Sequence, residues 1–460
     1  MPSSFGGINT ALTSLYAQRR GLDVTGQNIA NANTEGYTRQ RVNMNSQVGS
    51  LSAAMYARTD GLGTGVAVTD VQRLRDEYLE NRGRSEHAND SYLKAQSAAY
   101  VAIEDTFAEP GDTALAAQFR DMWGNWNDVS NNPQLAAPRS ALIQQSSTVA
   151  DQLNASHQAL ARQWKINESQ MTAYVDEING TAKSIAQLND SIIKANASGL
   201  TVNELEDQRD VLAMRLAELT GASAAKRPNG GMDVFITGQN LVTGTNVREV
   251  EFVGAERLED QAGNPVQLQW VDIDEPIKAG GKVGAAMDVM TNIIPDLSAD
   301  IDSVAKNLID SVNAKHRLGY SVDGTTGQDF FSGTTAADIK VLVKDPDKVA
   351  ISATAGTLDN SVADSIADIG DDPDGPDREY SGVIGKLGVD SQGTARRAEI
   401  QSVVTEQVDA AREGEAGVNL DEEMTNLLTY QRGYEAASRV LTTIDSMLDQ
   451  LINRTGLVGR

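Results

Sequence analysis

The chain has 460 residues, 40% hydrophobic but only 5% aromatic, so it can bury substantial cores that must be chiefly aliphatic. Lys and Arg total 39 against 64 Asp and Glu, a formal charge of −25, which argues against nucleic acid or an anionic membrane surface as the main partner. Cysteine is absent and the only histidines are His87, His157 and His316, which excludes disulfides and thiolate chemistry and disfavours a multi-histidine metal site.

No apolar stretch approaches the roughly 18 residues of a membrane span. The uncharged opening ahead of Arg19-Arg20 lacks the charge-then-apolar order of a cleaved secretory signal. Composition by itself therefore reads as cytosolic. Residues 5–31 carry Ile8, Leu15, Leu22 and Ile29 at an interval of seven, with Phe5, Leu12 and Tyr16 beside them. That is the period of a coiled-coil seam, shared at this length with an ordinary amphipathic helix. Gly21 and Gly26 weaken such a helix by roughly 1 kcal/mol each, so it needs a partner. Residues 34–82 lack helical period, and Gly61, Gly63 and Gly65 precede alternating Val66, Val68 and Val71, which predicts short strands. The glycines lack the strand–turn–helix setting and the following Lys-Ser/Thr of a phosphate loop.

Helix is predicted over 85–132, with Phe119, Met122, Trp123 and Trp126 on one packed face. The strongest periodicity lies in 140–195, where Ile143, Ala150, His157, Trp164, Met171, Ile178, Ile185 and Ile192 recur every seven residues, with Leu153, Leu160, Tyr174 and Leu188 as a second seam. A helix of that length reaches roughly 80 Å, and His157 on its seam is a packed residue. After Ser198-Gly199 a second helix is expected, with Asn203 and Glu206 as a capping-box pair and Gly221 just past its end. Residues 223–278 alternate as an antiparallel β unit in which Phe235, Phe252 and Trp270 take core positions. Helix returns over 283–316. Residues 319–380 are mixed, with a strand at 339–343 and an acidic loop over 359–380 holding eight acids and one Arg. Helix resumes over 394–412. The last helix, 420–453, has Asn419 as its cap, Asp421, Glu422 and Glu423 set against the helix dipole, and Leu420, Leu427, Tyr434, Leu441 and Leu448 at intervals of seven.

Chemistry-bearing patterns are weak. Gly280-Gly281-Lys282 is followed by Val283, so it is no Walker sequence, and no Gly-x-Ser-x-Gly elbow occurs. Asp372–Asp377 puts proline where a calcium loop needs ligands. Glu422 and Glu423 diverge by about 100° on a helix, unlike a catalytic carboxylate pair, and the helix start accounts for them. The reading is of a non-enzyme with no cofactor and no metal.

Both ends carry a more specific signal. Asn28-Ile29-Ala30-Asn31-Ala32-Asn33-Thr34-Glu35-Gly36-Tyr37-Thr38-Arg39 closely resembles the signature of the flagellar rod, hook and hook-associated axial proteins. Val418–Met424, continuing through Tyr430-Gln431 and Tyr434 to Met447, resembles the C-terminal signature of the same family. Asp207-Gln208-Arg209-Asp210, Asn313-Ala314-Lys315-His316-Arg317-Leu318-Gly319 and Phe330-Phe331 resemble its hook–filament junction members. The resemblance spans nearly the whole chain, which is shorter than the family's longer members.

The resemblance implies an α+β fold: long terminal coiled-coil helices and an elongated helical bundle domain with β-rich material inserted mid-chain. The expected domains are 1–33 with 420–460 (terminal coiled coil), 34–222 with 283–318 and 390–419 (helical core with extended segments), and 223–282 with 319–389 (β-rich outer part). It further implies a structural adaptor joining hook to filament, extracellular on the flagellum and exported by the flagellar type III route without a cleaved signal. Its partners would be a homo-oligomeric ring of itself, the hook protein, a second junction protein (hook-associated protein 3) and a cytosolic export chaperone at the C-terminal helix. The expected interface residues are Ile8, Leu12, Leu15, Leu22 and Ile29 at the N-terminus and Leu420, Met424, Leu427, Tyr434, Leu441 and Leu448 at the C-terminus. Asn31, Asn33, Thr34, Gly36 and Tyr37 carry the motif. A hook or distal rod subunit would share both ends but lack the long 140–220 hairpin and the 313–319 stretch. An adhesin displayed through the β part is the alternative of another class.

Overall fold

The computed structural model describes residues 4–47 and 63–453; Gly61 of the glycine run lies outside them. Helix α1 (Ser4–Ala30) leads through the Asn-rich turn into the antiparallel pair β1 (Gln40–Gln47) and β2 (Gly65–Arg73), with Gln40 opposite Arg73 and a bulge at Asn43/Met44. Asp76 caps α2 (Glu77–Phe107) by accepting the Tyr78 and Leu79 amides, so this helix starts ahead of residue 85. The single helix expected over 85–132 is in fact two. Ala108–Ala114, with Pro110 and Gly111, separates α2 from α3 (Leu115–Asn131), because proline contributes no amide to a helical ladder.

Helix α4 (Ala136–Ala197) runs 62 residues, and its seam from Ala150 through His157, Trp164, Met171, Ile178 and Ile185 to Ile192 is buried. Helix α5 (Asn203–Thr220) folds back along it and closes at Gly221 in the left-handed region, as expected. The capping box does not form. Val202 occupies the cap position, and the Asn203 side chain instead donates from Nδ2 to Gln40 Oε1 (3.0 Å) and the Val71 carbonyl (3.1 Å).

Strands β3 (Ser223–Lys226), β4 (Met232–Ile236), β5 (Gln239–Thr243) and β6 (Asn246–Val247) form an antiparallel meander, and β7 (Val250–Val253) pairs with β8 (Gln267–Trp270). In β4 the core face carries Met232, Val234 and Ile236. Trp270 is buried, while Phe235 and Phe252 are only half-buried. Two asparagines of α4 hold this β unit. Asn179 bonds both backbone groups of Val250, and Asn189 accepts the Met232 amide and donates to the Met232 and Gly244 carbonyls.

Helix α6 (Gly281–Asp288) passes through a π turn, Val289–Ile293, into α7 (Ile294–His316), and Trp164 Nε1 donates to the Met290 carbonyl in that turn at 3.1 Å. Beyond α7 lie β9 (Tyr320–Ser321), β10 (Phe331–Ser332), β11 (Lys340–Val341) and β12 (Ala350–Ser352), paired β9 with β12 and β10 with β11. The stretch read as an acidic loop holds α8 (Ser361–Ala367) and the start of α9 (Pro376–Ala416). Helix α9 begins well before 394 because packing of Tyr380, Leu387 and Ala398 overrides the cost of Gly382, Gly385, Gly388 and Gly393. Asn419 caps α10 (Leu420–Asn453), accepting the Asp421 and Glu422 amides.

Two apolar clusters result. The large one runs from Ile103 to Leu387 in sequence and includes Phe119, Trp126, Trp164, Trp270 and Phe330. The small one comprises Val24, Val42 and Val71, flanked by Met44 and Val68, and joins α1 to β1–β2. Among the described residues the two share no member.

Candidate functional site

The Asn-rich motif builds its own stop. The Asn31 amide nitrogen donates to the Gln27 carbonyl at 3.0 Å, and Thr34 Oγ1 donates to Asn31 Oδ1 at 3.2 Å. Gly36 then takes φ of +76°, and the Val211 methyl of α5 occupies the space a Cβ would need. Asn33 is exposed.

The reversed chain brings Tyr37 and Gln40 back onto Asn28, which is fully buried. Asn28 Oδ1 accepts from the Tyr37 hydroxyl (2.8 Å) and the Gln40 amide (3.0 Å). Its Nδ2 donates to the Gln40 carbonyl (2.9 Å) and to Glu423 Oε2 (3.0 Å). Glu423 Oε1 also accepts from Arg39 Nε and Nη2 at 2.9 and 2.8 Å, and Arg39 Nη1 reaches Glu422 at 2.8 Å. Burial resists charge on Arg39, but the two glutamates outweigh it and raise its pKa. Burial, with Asp207, Glu204 and Glu423 nearby, keeps the Tyr37 hydroxyl protonated. The motifs at the two chain ends are thus interlocked side chain to side chain. Glu423 does more than complement a helix dipole, and no local pattern distinguished it from its neighbours Asp421 and Glu422.

Helices α1 and α10 run antiparallel: Gly7 faces Ile444, Gln18 faces Gly433, Gly21 faces Tyr430, and Asn28 meets Glu423. The residues packed most deeply on α1 are Ala11, Ala17, Gly21, Val24, Thr25 and Asn28. Of the expected seam, Ile8, Leu15, Leu22 and Ile29 are half-buried and Leu12 is exposed. On α10, Leu427, Leu441 and Leu448 are half-buried, while Leu420, Met424 and Tyr434 are exposed. Gly21, read as a weak point, is where the Tyr430 ring lies against the helix.

A second polar cluster joins this terminal unit to α5. Arg73, at the end of β2, pairs with Asp207 (2.7 Å), Asp210 (2.9 Å) and Glu206. Arg75 pairs with Glu80 (2.9 Å) and Asp210, and Glu80 also meets Arg412 of α9 (3.1 Å). The Thr38 amide donates to Asp207 Oδ2 at 3.1 Å. Burial opposes charge on Arg73, yet Asp210, Glu206 and Asp207 hold its pKa above the ordinary arginine value. Arg209 instead turns to the β unit, donating to Asn189 Oδ1 (3.1 Å) and the Gly230 carbonyl (2.6 Å).

Beside the motif turn lies an open groove of about 830 Å³ lined by Asn31, Glu35, Tyr37, Gln187, Glu204 and Gln208, among others. Among the described residues no group of three or more His, Asp or Glu is arranged to hold a metal ion. Asn313 and His316 serve the core. Asn313 bonds the backbone of Phe330 and Phe331, and His316 donates from Nδ1 to the Gln328 carbonyl (2.8 Å) and accepts the Ala350 amide at Nε2 (3.0 Å).

Three family models match the chain: "Flagella basal body rod protein" over residues 8–38, "Flagellar hook-associated protein FlgK helical domain" over 100–331, and "Flagellar basal body rod FlgEFG protein C-terminal" over 415–454. The chain is 28% identical to flagellar hook-associated protein 1 of Bacillus subtilis (strain 168), covering 100% of both chains. It is 24% identical to the protein of the same name from Escherichia coli (strain K12), covering 97% of this chain and 99% of that one. The fold is similar to the flagellar hook junction protein FlgK of Burkholderia pseudomallei, with a TM-score of 0.61, 14% identity, 72% of this chain covered and 99% of that one.

Proposed function

From the chain's membership of the flagellar hook-associated protein FlgK family, whose helical-domain model spans residues 100–331, we propose that it is a structural subunit of the bacterial flagellum at the junction of hook and filament. The observation that carries this reading is the order of matches in one chain: rod-type ends at 8–38 and 415–454 around a hook-associated helical domain. Hook and rod subunits would share the ends alone. The long α4–α5 hairpin, expected for the junction type and foreign to the hook and rod alternative, supports it.

The finer reading is adaptor packing. Copies of the chain form a ring between hook protein and a second junction protein, outside the cell after export without a cleaved signal, and a cytosolic chaperone holds the C-terminal helix beforehand. The partly exposed apolar residues Leu12, Leu420, Met424 and Tyr434 of the α1–α10 pair are the surface offered to neighbouring subunits. We divide the chain into a terminal unit, a helical body and an outer β-bearing part, counting β1 and β2 with the terminal unit because they share its apolar cluster.

Electron microscopy of cells lacking the gene, with an assay for filament protein in the medium, tests the reading. Hooks without filaments and shed filament protein, restored by the intact gene, are the expected result. Normal filaments would overturn it, and missing hooks would move the chain to the rod or hook class.

A further inference from the structure

The terminal unit and the body have separate apolar clusters, and the contacts between them are chiefly polar and charged. Val24, Val42 and Val71 belong to one cluster, while the body's cluster begins at Ile103. Across the joint, the first half of α5 presents Asn203, Glu204, Glu206, Asp207 and Asp210. Facing them are Gln40 and Arg73 of the strand pair and the Thr38 amide. Arg75, in the segment between β2 and α2, crosses to Asp210 and back to Glu80. Among the described residues, apolar approach at the joint includes that of the Val211 methyl to Gly36. The covalent crossings are the segments 74–76 and 417–419.

A joint of this kind behaves unlike a packed core. Apolar contact is non-directional and tolerates sliding, whereas an arginine fork shared among carboxylates fixes an orientation and loses its energy when displaced by an ångström or two. Removing Arg73 takes the close counter-charge from Asp207, which is nearly fully buried and keeps only Arg75 at 4.0 Å, and leaves Asp210 on Arg75 alone among its close pairs, which drives Asp207 toward water. Neither apolar cluster is touched by that change.

We propose that the cluster of Arg73 and Arg75 with Glu80, Glu206, Asp207 and Asp210 is a latch that sets the angle between the terminal unit and the helical body. Opening it lets the terminal unit swing as an intact body on its two connections. Arg73 is the positioning residue, since it alone meets three carboxylates of α5. Such a latch is a property of the joint itself, whatever the place of the protein in the flagellum.

Because the chain has no cysteine, two introduced thiols are the only sites for spin labels. Thr172→Cys on α4 and Arg432→Cys on α10 are both exposed positions, one on each side of the joint. Double electron–electron resonance on the full chain is expected to give a narrow distance distribution. Arg73→Gln, and separately Asp207→Asn with Asp210→Asn, should at least double its width while amide protection in α4 and in the α1–α10 pair is retained. Arg248→Gln, which removes a distant surface pair with Asp272, should leave the width unchanged. A distribution already broad in the unmodified background, or one unaltered by both joint variants, would overturn the latch. So would a joint variant that strips protection from both units together, because the cluster would then be holding the fold and not an angle.

Discussion

Replacing Glu423 by alanine separates the lock at the chain ends from the body of the protein. Its side chain is 2% exposed and accepts from Asn28 and from two nitrogens of Arg39, whereas the adjacent Glu422 is 59% exposed and meets Arg39 through one nitrogen. Stripping a buried pair of one member costs roughly 3–5 kcal/mol when the other is stranded. Arg39 is not stranded, because it keeps Glu422, and Asn28 Nδ2 keeps the Gln40 carbonyl. The expected loss is therefore about 2–3 kcal/mol, near that of one or two charge-assisted hydrogen bonds. In native-state hydrogen exchange this raises the opening constant of α1 and the first turns of α10 about 30- to 150-fold. Amides in α4 and α7 should be unchanged, since their apolar cluster is separate. Glu422→Ala should cost no more than about 1 kcal/mol. Equal effects of the two substitutions, or equal loss of protection in α4, would show that buried Glu423 is not a lock confined to the chain ends.

Gly21→Ala gains about 1 kcal/mol of helix propensity. It also puts a methyl 2.7 Å from the Tyr430 ring, and overpacking of that kind costs about 1–3 kcal/mol. The substitution should be destabilising alone and stabilising in a Tyr430→Ala background, read as a sign change in thermal midpoint. Leu441→Asp sets a carboxylate in the half-buried α1–α10 seam and should impair assembly while the body keeps its unfolding transition; normal incorporation would argue against a buried seam there. Burial lowers the His316 pKa below its ordinary 6.5 despite the Gln328 carbonyl. In the unfolded chain the imidazole therefore takes up a proton as pH falls through 6.5 while in the folded chain it stays neutral, so its contribution to stability is full above 6.5 and declines below it toward the folded pKa. Urea midpoints at pH about 7.5 and about 5.5 should differ more for the native chain than for His316→Leu.

Sequence pattern served best where one helix face repeats. The α4 seam is buried from Ala150 to Ile192 because a long helix against a body must present one stripe to it. It failed where tertiary packing overrides local cost. Helix α9 runs through Gly382, Gly385, Gly388 and Gly393, and the break at Pro110 was hidden by strong helical residues on both sides. At the chain ends the motif residues Asn31, Thr34, Gly36 and Tyr37 were legible as a helix stop. Their lock partner Glu423, and the Arg73 cluster, were not, since each is assembled from charges whose neighbours in space are far apart in sequence and carry no period.

Asn28 and Glu423 touch although they stand 395 positions apart in the sequence. Closing a loop of that length in an unfolded polymer costs about 5 kcal/mol of entropy. A folded body removes most of that loop, because the start of α2 and the end of α9 already lie together through Glu80 and Arg412 and through His87 and Asp409. What remains to be closed is a few tens of residues, cheaper by about 2 kcal/mol. The terminal pair is therefore a late contact in folding, made local by the body. A substitution that unfolds the body will loosen α1 from α10 through loop length alone, without touching either helix.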